Sequence, residues 1–308
     1  MDPDEADRVF EAIVAAVARG ERNRALHMAE AALRFFMDEP LVLMLAAESL
    51  EEQGRALEAL SLIERASEIV PEQAEVWRRL GGGMVRQGRS ADALAAFGRA
   101  LDIQPDSVAT LMDAGEASYR LSALTAAERY FRRAAELAPE EANAIAALAA
   151  IAARRQKADE ARALAKRALA IRPNLLTAEM AIGRADLVEG LAEATRERMT
   201  RMLDRPDLSD DNRVGALDLR ADALDTLDRP GEAFADYQSR NAILRRVNAP
   251  RIEREIRERR ADEAKRLAEY FAAAPNDPWR ATAGEDEIGA RAASGHAFLI
   301  GFPRSGTT

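Results

Sequence analysis

The chain has 308 residues, 48% hydrophobic and 31% charged, with 12 Pro, 17 Gly, two His and no Cys. At ~150 residues per domain this length allows two domains or one elongated array. The apolar share excludes wholesale disorder, the absence of Cys excludes a disulfide framework and leaves little for a zinc site, and a net charge of −9 argues against general polyanion binding while allowing a local basic pocket.

Aromatic residues make up 5% and Ala is abundant, a mix suited to close-packed helices rather than aromatic-rich strands. The first residues, Met1-Asp2-Pro3-Asp4-Glu5-Ala6-Asp7, are acidic where a secretory leader would be basic, and the apolar stretch 12–18 is short. The expected location is the cytoplasm. The longest low-charge run, 142–153, has 12 residues of mostly Ala, short of the ~20 needed to span a bilayer.

Pro71, Pro105, Pro139 and Pro173 follow one another at intervals of 34, a period that calls for a helix–turn–helix solenoid. In chain order, 6–39 fits the frame loosely through Gly20, Ala25 and Ala32. The next unit, 40–73, supplies Leu43, Ala47, Gly54, Ala59, Ile63, Ala66 and Pro71. Unit 74–107 is the clearest, with Trp77, Leu80, Gly81, Ala93, Phe97, Ala100 and Pro105. Units 108–141 and 142–175 follow with Leu111, Gly115, Ala127, Phe131, Ala134 and Pro139, then Ile145, Leu148, Ala149, Ala161, Ala168 and Pro173. Unit 176–209 keeps Ile182, Gly183 and Gly190, and 210–246 has Ala233 and Tyr237 at the right separation.

Each place has a physical reason. Small residues such as Gly81 and Ala93 let two helices approach, and Trp77, Leu80 and Phe97 fill the space between them. Pro105 ends the second helix, and Gly88 closes the first in a left-handed conformation. These residue types at these places resemble the tetratricopeptide repeat. The resemblance implies an all-α fold, a right-handed α-solenoid of helix–turn–helix repeats over 1–246. Trp77 and Tyr237 are then expected to be core residues, and binding is expected in the concave groove lined by the first helix of each repeat.

On those first helices Arg86, Arg120 and Arg154 recur at intervals of 34. They form either a basic ladder for an acidic or phosphorylated partner segment, or cations that complement helix C-termini at ~0.3–1 kcal/mol each. Glu52 and Val188 hold the equivalent place in other repeats, so the ladder has three rungs.

From about Val247 the frame is lost, and 247–296 reads as a helical connector and loop. Ile252, Ile256, Leu267 and Phe271 suggest a helix with one narrow buried stripe, ending before the turn signal Pro275-Asn276-Asp277-Pro278. His27 and His296 are read as structural.

The last segment, 297–308, begins with the apolar run Ala297-Phe298-Leu299-Ile300-Gly301-Phe302, the pattern of a buried parallel strand. It leads into Pro303-Arg304-Ser305-Gly306-Thr307-Thr308, a turn whose backbone N–H groups could converge on an anion. Thr307 stands where a nucleotide-triphosphate loop carries Lys, which makes an ATPase or GTPase a poor reading.

The segment resembles the 5′-phosphosulfate loop of sulfotransferases, nearest to the group that includes bacterial proteins with tetratricopeptide repeats ahead of a sulfotransferase domain. The resemblance implies a parent enzyme that transfers a sulfuryl group from 3′-phosphoadenosine-5′-phosphosulfate (PAPS) to a hydroxyl, without a metal. Arg304 would contact the phosphosulfate and stabilise the leaving phosphate. Ser305, Gly306, Thr307 and Thr308 would cradle it, as the start of an α/β domain cut off at its first loop. The 308 residues alone are then expected to lack catalytic competence.

The expected role of the repeats is to dock a protein or peptide, present an acceptor, or hold a homodimer together, with neither nucleic acid nor membrane as partner. The alternative is a non-catalytic tetratricopeptide adaptor.

Overall fold

The computed structural model describes residues 3–33 and 38–273. Among these are fourteen α-helices and no strand. They pair as α1 (Pro3–Ala18) with α2 (Arg22–Leu33), α3 (Pro40–Glu52) with α4 (Ala56–Ile69), α5 (Ala74–Arg86) with α6 (Ser90–Ile103), and α7 (Val108–Arg120) with α8 (Leu124–Leu137). Then come α9 (Ala142–Arg154) with α10 (Ala158–Ile171), α11 (Leu176–Val188) with α12 (Ala192–Leu203), and α13 (Asp210–Thr226) with α14 (Pro230–Ala273). From α3 to α12, first helices and second helices each start on a strict 34-residue step. Consecutive helices pack against one another along 3–243, giving an α-solenoid.

One turn repeats through the stack. Gly20, Gly54, Gly88, Ser122, Gln156 and Gly190 all lie in the left-handed region, with φ of 71°, 76°, 77°, 59°, 60° and 78°. The next residue's N–H then reaches back over the end of the first helix: Arg55 to the Leu50 carbonyl at 2.8 Å, Arg89 to Met84 at 2.9 Å, Lys157 to Ala152 at 3.0 Å. This closure satisfies a carbonyl that the helix end leaves open and turns the chain into its second helix. Ser122 and Gln156 carry a Cβ through a conformation that costs a non-glycine residue ~1–2 kcal/mol.

The seventh pair breaks the period. Its first helix begins on schedule at Asp210 but runs 17 residues, and the left-handed residue is Asp228. About one extra helical turn has been inserted.

Between paired helices the packing rests on a small residue facing a large one. A Cβ added to Gly81 would stand 2.5 Å from the Phe97 ring, and one on Gly115 would stand 2.6 Å from Phe131. Phe97 and Phe131 are fully buried, each contributing ~1.5–3 kcal/mol by burial. In 142–175 both equivalent places, Ala149 and Ala165, are alanine, and both are fully buried. Buried Thr195 donates its hydroxyl hydrogen to the Gly183 carbonyl at 2.8 Å, so its polar atom is satisfied.

Trp77 and Tyr237 both pack against the core of their repeats and are half-buried, each keeping a polar end to satisfy. The Trp77 indole N–H donates to the Pro71 carbonyl at 2.8 Å, and the Tyr237 hydroxyl lies 2.9 Å from Asp222 and 3.0 Å from Asp225.

Residues 244–273 belong to a second unit and form the remainder of α14. The helix runs through Val247 without a break and reaches Ala273. The expected loop near 280–296 and the expected strand and phosphosulfate loop at 297–308 lie outside the described residues. No described helix is long and apolar enough to cross a membrane, and no three His, Cys, Asp or Glu among the described residues are grouped to hold a metal.

Candidate binding groove

Several first helices of successive pairs touch one another (α5 with α7, α9 with α11, α11 with α13), while among the described residues no two second helices share a comparable contact. The first helices are therefore the closer-spaced inner layer, and their outward-facing side chains line the groove.

In the early repeats that lining is charged and mutually neutralised. Arg79 lies 3.7 Å from Glu48 and 3.5 Å from Glu51, and donates to the Met44 carbonyl at 3.3 Å. Arg86 pairs with Glu51 as well. Arg78 bridges Glu75 at 2.6 Å and Asp113 of the next repeat at 2.9 Å. The Glu75 hydrogen bond raises the Arg78 pKa most, burial opposes it, and the Asp113 hydrogen bond adds to the rise. These cations are already occupied.

The surface changes from α7 to α11. On α9, Ala147, Ala150 and Ala153 fall three residues apart and place three methyl groups along one face. Tyr119 on α7 and Met180 on α11 stand on either side, Phe131 and Ala181 also reach the space, and Glu116, Thr177 and Arg184 are its polar members. The result is a cleft of about 250 Å³. It exists because the repeat between two larger neighbours is built largely of alanine. Its floor of methyl groups offers water no hydrogen bond.

One arginine braces its aromatic wall and another lines it. Arg154 lies over the Tyr119 ring at 5.0 Å and donates to the Ser122 hydroxyl at 3.4 Å, holding the aromatic wall in place. Arg184 is exposed and makes no hydrogen bond or ion pair among the described residues. Glu116, the other charge at the cleft, is paired with Arg120 at 3.1 Å.

The sequence-derived ladder thus occupies the last residues of α5, α7 and α9, and all three rungs are exposed and engaged: Arg86 with Glu51, Arg120 with Glu116, Arg154 with Tyr119. Arg304, Ser305, Gly306, Thr307 and Thr308 lie outside the described residues. Sequence reasoning missed Arg184 and the alanine floor. The signal was available: Gly82, Glu116, Ala150 and Arg184 share one place in the 34-residue frame, and the charge there changes from repeat to repeat.

No protein-family model and no curated protein matches the sequence. Solved structures do resemble it. A tetratricopeptide repeat protein from Parabacteroides merdae, 16% identical, aligns over 78% of this chain and 93% of its own with a TM-score of 0.61. A chain of the APC/C hetero-tetramer Cut9–Hcn1 is 14% identical over 75% of this chain and 45% of that one, with a TM-score of 0.59. PilW, a type IV pilus biogenesis factor, is 19% identical over 66% of this chain and 94% of its own, with a TM-score of 0.54. At such identities the likeness is one of architecture: the chain has the tetratricopeptide-repeat fold.

Proposed function

We propose that this protein is a scaffold whose first-helix groove docks an extended segment of a partner protein at the cleft between α7, α9 and α11. The observation that carries the reading is the apolar cleft itself, set in a groove whose earlier part is closed off by its own ion pairs. Extended segments suit such a surface because alternate side chains point the same way and a single pocket captures one of them. A chain that shares the fold is part of the APC/C hetero-tetramer Cut9–Hcn1. The ladder residues Arg86, Arg120 and Arg154 are engaged by Glu51, Glu116 and Tyr119, so the cation offered to a partner at the cleft is Arg184.

Ala150→Trp tests the reading. A bulky ring on the cleft floor should abolish partner capture while leaving helicity unchanged, whereas full capture by that variant would refute the site.

A second reading rests on the sequence 297–308 alone. There the repeats would serve a PAPS-dependent sulfotransferase, with Arg304 at the phosphosulfate and Ser305, Gly306, Thr307 and Thr308 around it. Calorimetry with 3′,5′-adenosine bisphosphate on a chain extending past Thr308 checks it. Binding lost in Arg304→Ala supports the enzyme; no binding to the extended parent chain leaves the adaptor.

A further inference from the structure

The cleft has a chemical preference written into its two ends. Resting on the docking reading above, we propose that it selects peptides in which a bulky aliphatic or aromatic side chain lies close to an Asp or Glu, the apolar group entering over the alanine floor and the carboxylate pairing with Arg184.

Size comes first. A space of about 250 Å³ falls below the ~300–1,000 Å³ usual for drug-sized ligands and cofactors, and suits one large side chain of a longer chain. The Ala150 methyl lies on the floor between Tyr119 and Met180, surfaces that an aliphatic or aromatic group can cover. The thioether of Met180 is adaptable, so the site discriminates by bulk and polarity more than by outline.

Charge comes second. Of the two charged residues at the cleft, Glu116 is neutralised by Arg120 and Arg184 by none of the described residues. A guanidinium presents a planar fork that matches a carboxylate bidentately, and apolar walls alongside lower the local dielectric and strengthen the pairing. A phosphorylated side chain is a poorer fit. It brings close to two negative charges, one guanidinium answers only one of them, and Glu116 lines the same space. Thr177 adds a neutral hydroxyl able to donate to the second carboxylate oxygen or to the peptide backbone.

The experiment uses a displayed library of random dodecapeptides, selected in parallel against the full chain, Arg184→Glu and Ala150→Trp. The full chain should enrich Asp or Glu beside Leu, Met or Phe. Arg184→Glu should replace that acidic enrichment with Lys or Arg while keeping the apolar residue, and Ala150→Trp should enrich nothing. For one selected peptide, changing its acid to the amide should weaken binding about five- to tenfold in the full chain and leave binding to Arg184→Gln unchanged. Peptides selected without an acidic bias, or an identical bias from Arg184→Glu, would overturn the preference while leaving the docking site intact. Equal enrichment by Ala150→Trp and the full chain would overturn the docking site itself.

Discussion

Replacing Gly115 with Ala sets two effects against each other inside α7. Alanine favours a helix over glycine by about 1 kcal/mol, so the change should stabilise if nothing else intervened. The added Cβ, however, would sit 2.6 Å, 2.8 Å and 2.8 Å from three carbons of the Phe131 ring. That ring is fully buried, so it cannot swing aside as an exposed chain would. Overpacking of this kind costs ~1–3 kcal/mol. The net expectation is a destabilisation of roughly 0–2 kcal/mol. A second variant removes the ambiguity: Gly98, inside α6, has nothing within 4 Å of its would-be Cβ, and Gly98→Ala gains the same propensity without the clash. The two variants should therefore differ by the whole overpacking cost, about 1–3 kcal/mol, in urea unfolding followed by circular dichroism. Gly115→Ala combined with Phe131→Leu should couple favourably, since the smaller side chain vacates the collision. Should Gly115→Ala prove as stabilising as Gly98→Ala, the glycine–phenylalanine contact does not govern helix approach.

Three further expectations follow from the same packing and charge arguments. Asp236 is buried and receives two hydrogen bonds at 2.7 Å from Arg220, so Arg220→Met should cost about 3–5 kcal/mol, most of it recovered in the double variant with Asp236→Leu; urea midpoints of the three proteins check this. Gln156 holds φ +60°, and Gln156→Gly should raise stability by roughly 0.5–1 kcal/mol while Gln156→Ala gains nothing, read as thermal midpoints. For Glu128, burial raises the pKa, but the hydrogen bond and charge of Arg155, with Arg132 added, outweigh it and hold the carboxyl below its usual range. A lowered folded pKa contributes stability present above the unfolded value of about 4.3 and lost as pH falls through the folded one. The stability gap between the native chain and Glu128→Gln should thus narrow from pH 7 to pH 3, and a constant gap would contradict the role of the pair.

The repeat was legible in sequence because its constraints are local. Proline at the end of a second helix and glycine in the left-handed turn are near-obligatory residue types, and 34-residue spacing converts them into a frame. Where those obligations were met by other residues, the signal vanished. Ser122 and Gln156 take the turn conformation with no sequence hint, supported by the closing hydrogen bonds around them. The extra turn of α13 was equally silent, since Ala233 and Tyr237 keep their mutual spacing when both shift together. The cleft was hidden for a different reason. It is made by what α9 lacks, and three alanines read as good helix formers until the larger side chains on each side are placed in space. Arg86, Arg120 and Arg154 drew notice by their period, yet Arg184, on α11 and off that series, is the cation that lines the cleft without a described partner.

The alanine floor also supplies the most direct test of the docking site. With alanine methyl groups isotopically labelled, titration of a selected peptide should shift the signals of Ala147, Ala150, Ala153 and Ala181, while Ala161, Ala165 and Ala168, buried on α10, stay in place. Shifts confined to α10, or the α9 methyls unmoved at saturation, would show that the partner binds somewhere other than the cleft.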